Sequence, residues 1–247
     1  MKSFKTYKSR SPVSSLRHRN FNSKSGAWEK GRKLFIPVCV LMLMLFSSIL
    51  SAHPFIPGDI STTDVFSVYL QLGFTHILPM GLDHILFILG LYFLSNNLKT
   101  VLIQATAFTV AHSITLGLAM FKVVSAPSSI VEPIIALSIV FIAVENIVTK
   151  KLHSWRIVIV FLFGLIHGLG FASVLLDLGL PDSQFITALV AFNVGVELGQ
   201  ITIILSAFLI VGKWFGKKEW YRGRVVIPVS ICIACIAAYW TVERIIG

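Results

Sequence analysis

The sequence predicts an all-α protein, a polytopic bundle of about six transmembrane helices that follows an N-terminal signal or anchor segment. Hydrophobic residues make up 55% of the chain and charged residues only 13%, which lies outside the usual range of soluble domains. Apolar stretches of about 20 residues, the length that a helix needs to cross the hydrocarbon core, recur from Leu34 onward. The connections between them are short, so we expect one bundle without a second domain.

The first 52 residues predict a tail and a signal. Residues 1–33 hold ten Lys and Arg against one Glu, and so carry nine of the ten net positive charges. This composition is typical of a disordered cytoplasmic tail or of the n-region of an export signal, and we do not expect nucleic-acid binding. Residues 34–52 are apolar and end in small residues. They predict a signal peptide cleaved after Ala52 or, alternatively, an uncleaved signal anchor.

An external segment at 53–74 and a membrane domain at 75–247 are predicted to follow. Spans are predicted at 75–95, 99–121, 130–148, 155–176, 184–211 and 224–243. The connections on one side of these spans hold nine basic residues, which are Lys99, Lys150, Lys151, Arg156, Lys213, Lys217, Lys218, Arg222 and Arg224. The other side has Lys122 and Arg244. The positive-inside rule then predicts a multi-pass protein of the inner (plasma) membrane with an external C-terminus.

Ionisable side chains occur in four of the predicted spans, although each costs about 2.5–3.5 kcal/mol on insertion scales. They are His76, Asp83 and His84 in the first span, His112 in the second, His167 in the fourth and Glu197 in the fifth. All but His76 lie near the middle of a span, so we expect one shared intramembrane site. Imidazole and carboxylate together are ligands of borderline divalent metals such as Ni²⁺, Co²⁺, Zn²⁺ and Cu²⁺. A proton relay or structural hydrogen bonds between helices would use the same residue types.

Other residues are predicted to support this site, and they are Asn193, Gln200, Ser113, Pro79 and Gly81. Pro79 has no N–H to donate to Thr75, so we expect a free carbonyl at membrane depth, and Gly81 loosens the helix further. The small-residue spacings Gly164-x-x-x-Gly168 and Gly195-x-x-x-Gly199 favour close approach of helices. Close approach would bring the polar side chains together.

Taken together, these residues resemble the HupE/UreJ family of bacterial membrane proteins. The motifs that carry the resemblance are His53-Pro54, Gly81-x-Asp83-His84-x-x-Phe87, Ala111-His112-Ser113, Phe163-Gly164-x-x-His167-Gly168-x-Gly170-Phe171-Ala172 and Asn193-x-Gly195-x-Glu197-x-Gly199-Gln200, over about 53–210. The resemblance implies a secondary nickel or cobalt permease, associated with hydrogenase and urease maturation, whose substrate is the metal ion. It implies metal-handling roles for His76, Asp83, His84, His167 and Glu197. The family's first motif separates its His from Asp-His by five residues, whereas six separate His76 from Asp83, which makes His76 the weaker candidate.

A second resemblance, to the zinc hydrolases of the alkaline ceramidase and adiponectin-receptor type, implies a different activity. His84, His112 and His167 would then hold a zinc ion that activates water against a lipid amide, with Asp83 or Glu197 as the base. Those enzymes usually have seven spans with paired histidines on the last, whereas the sixth span here has none. A non-transporting protein with a structural polar core is the third alternative. We expect a permease in which Asp83, near mid-span, matters more than His76.

Overall fold

The computed structural model describes residues 61–95, 97–177 and 184–247. The chain divides into two units, Met1–Ser51 and Ala52–Gly247, and every described residue belongs to the second. The predicted basic tail at 1–33 and signal segment at 34–52 therefore lie outside the described residues, as does the beginning of the predicted external segment at 53–74.

All regular secondary structure in the described part of the chain is helical, which confirms the predicted all-α class. The main helices are α1 (Thr62–Ile77), α2 (Leu82–Leu94), α3 (Leu98–Met120), α4 (Ser128–Val148), α5 (Arg156–Asp177), α6 (Phe185–Ala207) and α7 (Ile227–Ile246). Helix α6 continues through a π-helical turn, Phe208–Gly212, and a short helix, Lys213–Phe215. Another π-helical turn, Arg222–Val226, leads into α7.

Four described segments are long and apolar enough to cross a membrane, and they are Leu98–Met120, Ser128–Val148, Phe185–Phe215 and Arg222–Ile246. Helices α1 and α2 meet at 68° and count as a fifth span if the bent pair is taken as one. The apolar part of α5, Arg156–Ala172, is shorter. The protein is therefore a multi-pass membrane protein with four or five candidate spans among its described residues, where six were predicted.

The first predicted span, 75–95, is not one continuous helix. Helix α1 ends at Ile77 and α2 begins at Leu82, because Pro79 has no N–H to continue the helical ladder. Helix α1 itself begins at Thr62, where the Ser61 side chain caps it by accepting from the Asp64 N–H at 3.2 Å. The sequence did not predict this helix, because the polar residues of its first turns resemble an external segment. The predicted location of residues 53–74 outside the cytoplasm stays a prediction.

The helices pack most extensively in three pairs, α1 with α6, α3 with α5 and α4 with α7. Glycine makes two of these contacts close. A Cβ added at Gly164 of α5 would lie 2.5 Å from the Phe108 carbonyl oxygen of α3. A Cβ added at Gly195 of α6 would lie 2.7 Å from the main-chain nitrogen of Phe74 in α1. The close approach expected from the small-residue spacings is therefore confirmed in both pairs.

A buried ion pair joins α4 to α5 at the end remote from the α1–α2 break. The Arg156 Nε and Glu145 Oε2 atoms are 3.2 Å apart, and the side chains are 0% and 6% exposed. Asn146, the next residue of α4, donates a hydrogen bond of 2.8 Å from its side chain to the Gly90 carbonyl of α2. From the sequence, Arg156 is predicted to lie in a polar connection between two spans, whereas in the structure it is buried at the beginning of α5.

Candidate functional site

Four imidazole rings, each from a different helix, cluster beside the break between α1 and α2. His76 lies in the last turn of α1, His84 in the first turn of α2, and His112 and His167 lie within α3 and α5. The ring centroid of His84 is 4.7 Å from that of His76, 5.1 Å from His167 and 6.1 Å from His112. The His76 and His112 centroids are also 6.1 Å apart. His84 is thus near all three of the other rings.

Three of the four histidines are buried and His76 is partly buried, and most of the ring nitrogens have no hydrogen-bond partner. His84, His112 and His167 are 7%, 0% and 2% exposed. The unpartnered atoms are Nε2 of His76, Nε2 of His84, both ring nitrogens of His112 and Nδ1 of His167. A buried polar group without a partner costs about 1–3 kcal/mol, so these nitrogens favour a bound ion or water. Nε2 of His167 is hydrogen-bonded to the Ser138 hydroxyl at 3.1 Å, which fixes that ring from α4.

Phenylalanine rings form the apolar walls of this cluster. The Phe171 ring centroid lies 3.9 Å from that of His76, and the Phe108 centroid lies 4.9 Å from that of His167. Phe108 is fully buried. Such walls exclude water and strengthen any electrostatic interaction within the cluster.

A cavity of about 460 Å³ lies against the histidine cluster. His76, His84 and His167 are in its wall together with Asp83, Glu132 and Arg244. Its apolar lining residues are Met80, Leu82, Ile135, Phe171 and Trp240, of which Met80 and Leu82 are exposed. The cavity therefore connects three of the imidazoles to the surface at the α1–α2 break.

Asp83 lies in the first turn of α2, because the helix predicted to be continuous restarts at Leu82, and its predicted depth in the membrane stays a prediction. Both carboxylate oxygens of Asp83 accept hydrogen bonds from Nη2 of Arg244, at 2.9 and 3.1 Å. Nη1 of Arg244 donates to the Glu132 main-chain carbonyl at 3.1 Å. The positive-inside pattern identifies Arg244 only as an external charge, and no local sequence pattern connects it with Asp83.

Glu197 belongs to a second polar group, between α3 and α6. Its Oε1 accepts a hydrogen bond of 2.6 Å from the Thr106 hydroxyl, while its buried Oε2 has no partner. Gln200, one turn later, accepts from the Thr109 hydroxyl at 3.2 Å. Asn193 donates to a carbonyl of its own helix. No hydrogen bond among the described side chains joins Glu197 to the four imidazoles, and its predicted place in the site stays a prediction.

The remaining predicted supporting residues have local roles. Ser113 donates from its hydroxyl to the Thr109 carbonyl of its own helix at 2.7 Å. The expected free carbonyl at Thr75 is wrong, since the N–H of Met80 donates to it at 3.2 Å. Gly81 permits a close approach, because a Cβ there would lie 3.3 Å from the His84 Nδ1 atom and would also contact the end of α1.

The histidines are close together, but their rings do not converge on one point as ligands would. Within the described ranges, no three His, Cys, Asp or Glu side chains are arranged to hold one metal ion. Ligation of a single ion by several of these imidazoles would require the rings to rotate. The predicted metal-ligand roles of Asp83, His84, His112, His167 and Glu197 therefore stay predictions.

The fold and the cluster define a class, the multi-pass helical membrane proteins that hold several imidazoles at a broken helix pair. The family model described as HupE / UreJ protein matches residues 54–244, and the chain belongs to this family. Membership indicates a membrane protein related to nickel or cobalt transport. No curated protein and no solved structure matches the chain significantly.

Proposed function

We propose that the protein is a secondary permease for a divalent transition metal, nickel or cobalt, in the inner (plasma) membrane, with its C-terminus external. The observation that supports this function best is the set of unpartnered ring nitrogens in the four-histidine cluster. Imidazole nitrogens bind Ni²⁺ and Co²⁺ well. Family membership supports the same class of substrate.

The surroundings of the cluster suit a transported ion. A permease must bind its ion strongly enough to admit it and weakly enough to release it. In this proposal an ion enters through the cavity, meets His76, His84 and His167 in its wall, and is then within reach of His112. Ser138 holds one nitrogen of His167, so that the other nitrogen remains available to the ion.

The alternative zinc hydrolase would use three of the same histidines, but it also needs a general base. The two carboxylates predicted for that role have other partners, since Asp83 accepts from Arg244 and Glu197 accepts from Thr106. Neither is hydrogen-bonded to an imidazole of the cluster among the described contacts. These contacts favour the permease over the hydrolase.

Metal accumulation tests the proposal. Cells limited for nickel should accumulate radioactive nickel when they express the parent, and His84→Ala and His112→Ala should reduce accumulation to background at equal expression. His153→Ala is the matched control, because His153 is exposed between α4 and α5 and stacks on Trp155, away from the cluster. Parent-like accumulation by both cluster variants would contradict the proposal.

Metal analysis of the purified protein separates the permease from the hydrolase. A permease should contain a weakly held metal that dialysis removes and that added nickel or cobalt replaces. A tightly held zinc ion, at one per chain and lost in His167→Ala, would favour the hydrolase.

A further inference from the structure

Arg244 places a positive charge at the cavity that leads to the histidines. Its guanidinium donates to both oxygens of Asp83 and to the main-chain carbonyl of Glu132. It also lies over the ring of Trp240, with 5.6 Å between the Arg Cζ atom and the ring centroid. These contacts join the last turn of α7 to the beginnings of α2 and α4.

This arrangement is unfavourable for a cation that approaches the cluster. Asp83 is the carboxylate beside His84, and so would attract a divalent ion toward the imidazoles. In the structure its charge is compensated by Arg244, so that an ion in the cavity meets a neutral ion pair there and not a free carboxylate. A divalent ion therefore reaches the cluster readily only when the guanidinium leaves Asp83.

We infer that Arg244 is the entry gate of the cavity: bound to Asp83 it keeps divalent cations from the four histidines, and its departure frees the carboxylate to receive one. The inference rests on the proposed function, since it assumes that a cation is the substrate. It assigns to Arg244 a role in access and none in binding the metal.

Two features allow this ion pair to open. The Asp83 and Arg244 side chains are 23% and 22% exposed, so water competes for both charges. Trp240 is four residues before Arg244 on the same face of α7, and its ring offers the guanidinium a cation–π contact that does not depend on Asp83. Arg244 can thus move away from the carboxylate and remain at the cavity wall.

Cysteine labelling measures access to the cavity directly. The reporter is Ile135→Cys, at a buried position that lines the cavity, in a chain whose Cys39, Cys232 and Cys235 are replaced by Ser. Purified protein is treated with two methanethiosulfonate reagents of similar size, one cationic and one anionic. We expect Arg244→Gln to accelerate labelling by the cationic reagent about tenfold or more, and labelling by the anionic reagent much less.

Arg224→Gln is the matched control. Arg224 also lies over a tryptophan ring, that of Trp220 at 5.9 Å, but it is exposed near the opposite end of the last span. This variant should label at the parent rate with both reagents. Equal cationic rates in Arg244→Gln and the parent would overturn the gate and leave the ion pair as a structural link.

Arg244→Met keeps the test decisive if Arg244→Gln does not fold, because it retains much of the apolar stem and loses the guanidinium that donates to Asp83 and Glu132. Labelling faster than in the parent supports the gate, and an unchanged rate contradicts it. The labelling needs no transport, so the two proposals fail separately. A parent that accumulates no nickel while Arg244→Gln labels faster would contradict the permease alone. Normal accumulation with unchanged labelling would contradict the gate alone.

Discussion

Replacing Arg156 with Met should destabilise the fold far more than replacing Arg244 with Gln. Both arginines form ion pairs, but the Arg156 and Glu145 side chains are 0% and 6% exposed, whereas the Arg244 and Asp83 side chains are 22% and 23% exposed. Removing one partner of a buried pair leaves an uncompensated charge and costs about 3–5 kcal/mol. Loss of a partly hydrated pair costs about 1 kcal/mol or less.

The measurement is the free energy of unfolding of purified protein in detergent micelles, followed by circular dichroism through a denaturant titration. Arg156→Met should lower it by about 3–5 kcal/mol, and Arg244→Gln by about 1 kcal/mol or less. The double variant Arg156→Met/Glu145→Leu should recover most of the loss, because it leaves no buried charge. Arg224→Gln, at an exposed position, serves as the control and should stay near the parent.

Two results would refute this reasoning. One is an Arg156→Met variant that is as stable as Arg244→Gln, which would mean that water reaches Glu145. The other is a double variant no more stable than Arg156→Met alone, which would place the cost in lost packing and not in the unpaired carboxylate.

Three further predictions concern the cluster, the packing and the topology. Ser138→Ala should weaken the apparent affinity of nickel uptake about 10-fold to 100-fold, because His167 loses its partner, and an unchanged concentration dependence would speak against this role. Gly168→Val should lower thermal stability and abolish uptake, since a Cβ at this position would meet the main chain of α3. Gly223→Ala is the control at an open position and should leave both unchanged, and equal effects of the two variants would contradict the packing argument. Alkaline phosphatase fused after Gly247 should be active and green fluorescent protein dark, and the reverse would mean that the spans are miscounted.

The sequence predicts the class of fold and part of the site because both depend on local patterns. Apolar length predicts the long helices, and glycine spacing predicts the close contact of α5 with α3. The depth of a polar residue within its span predicts that His84, His112 and His167 share a level. The structure places the ring centroids of His167 and His112 at 5.1 and 6.1 Å from that of His84.

The rest depends on features that local patterns do not contain. The depth of a residue in its span says nothing about its direction around the helix axis, so the sequence does not show that the Glu197 carboxylate accepts from Thr106. Asp83 and Arg244 are 161 residues apart in the chain, and their pairing depends on how α2 and α7 are arranged. Helical spacing also does not predict the relative positions of His76 and His84, because the helix is interrupted between them.

Because of that interruption, His76 and His84 have surroundings that two residues of one continuous helix would not have. His76 is at the C-terminal end of α1, where main-chain carbonyls give a partial negative charge that favours a cation. His84 is in the first turn of α2, where the partial positive charge of the helix end is offset by Asp83. A continuous helix would provide neither end, and its residues 76 and 84 would lie more than two turns apart. Pro79, by ending the first helix, therefore both brings the two imidazoles to 4.7 Å and gives the cavity a negative helix end. It follows that the cavity attracts a cation more strongly when Asp83 is not paired with Arg244, because the helix end and the free carboxylate then act together.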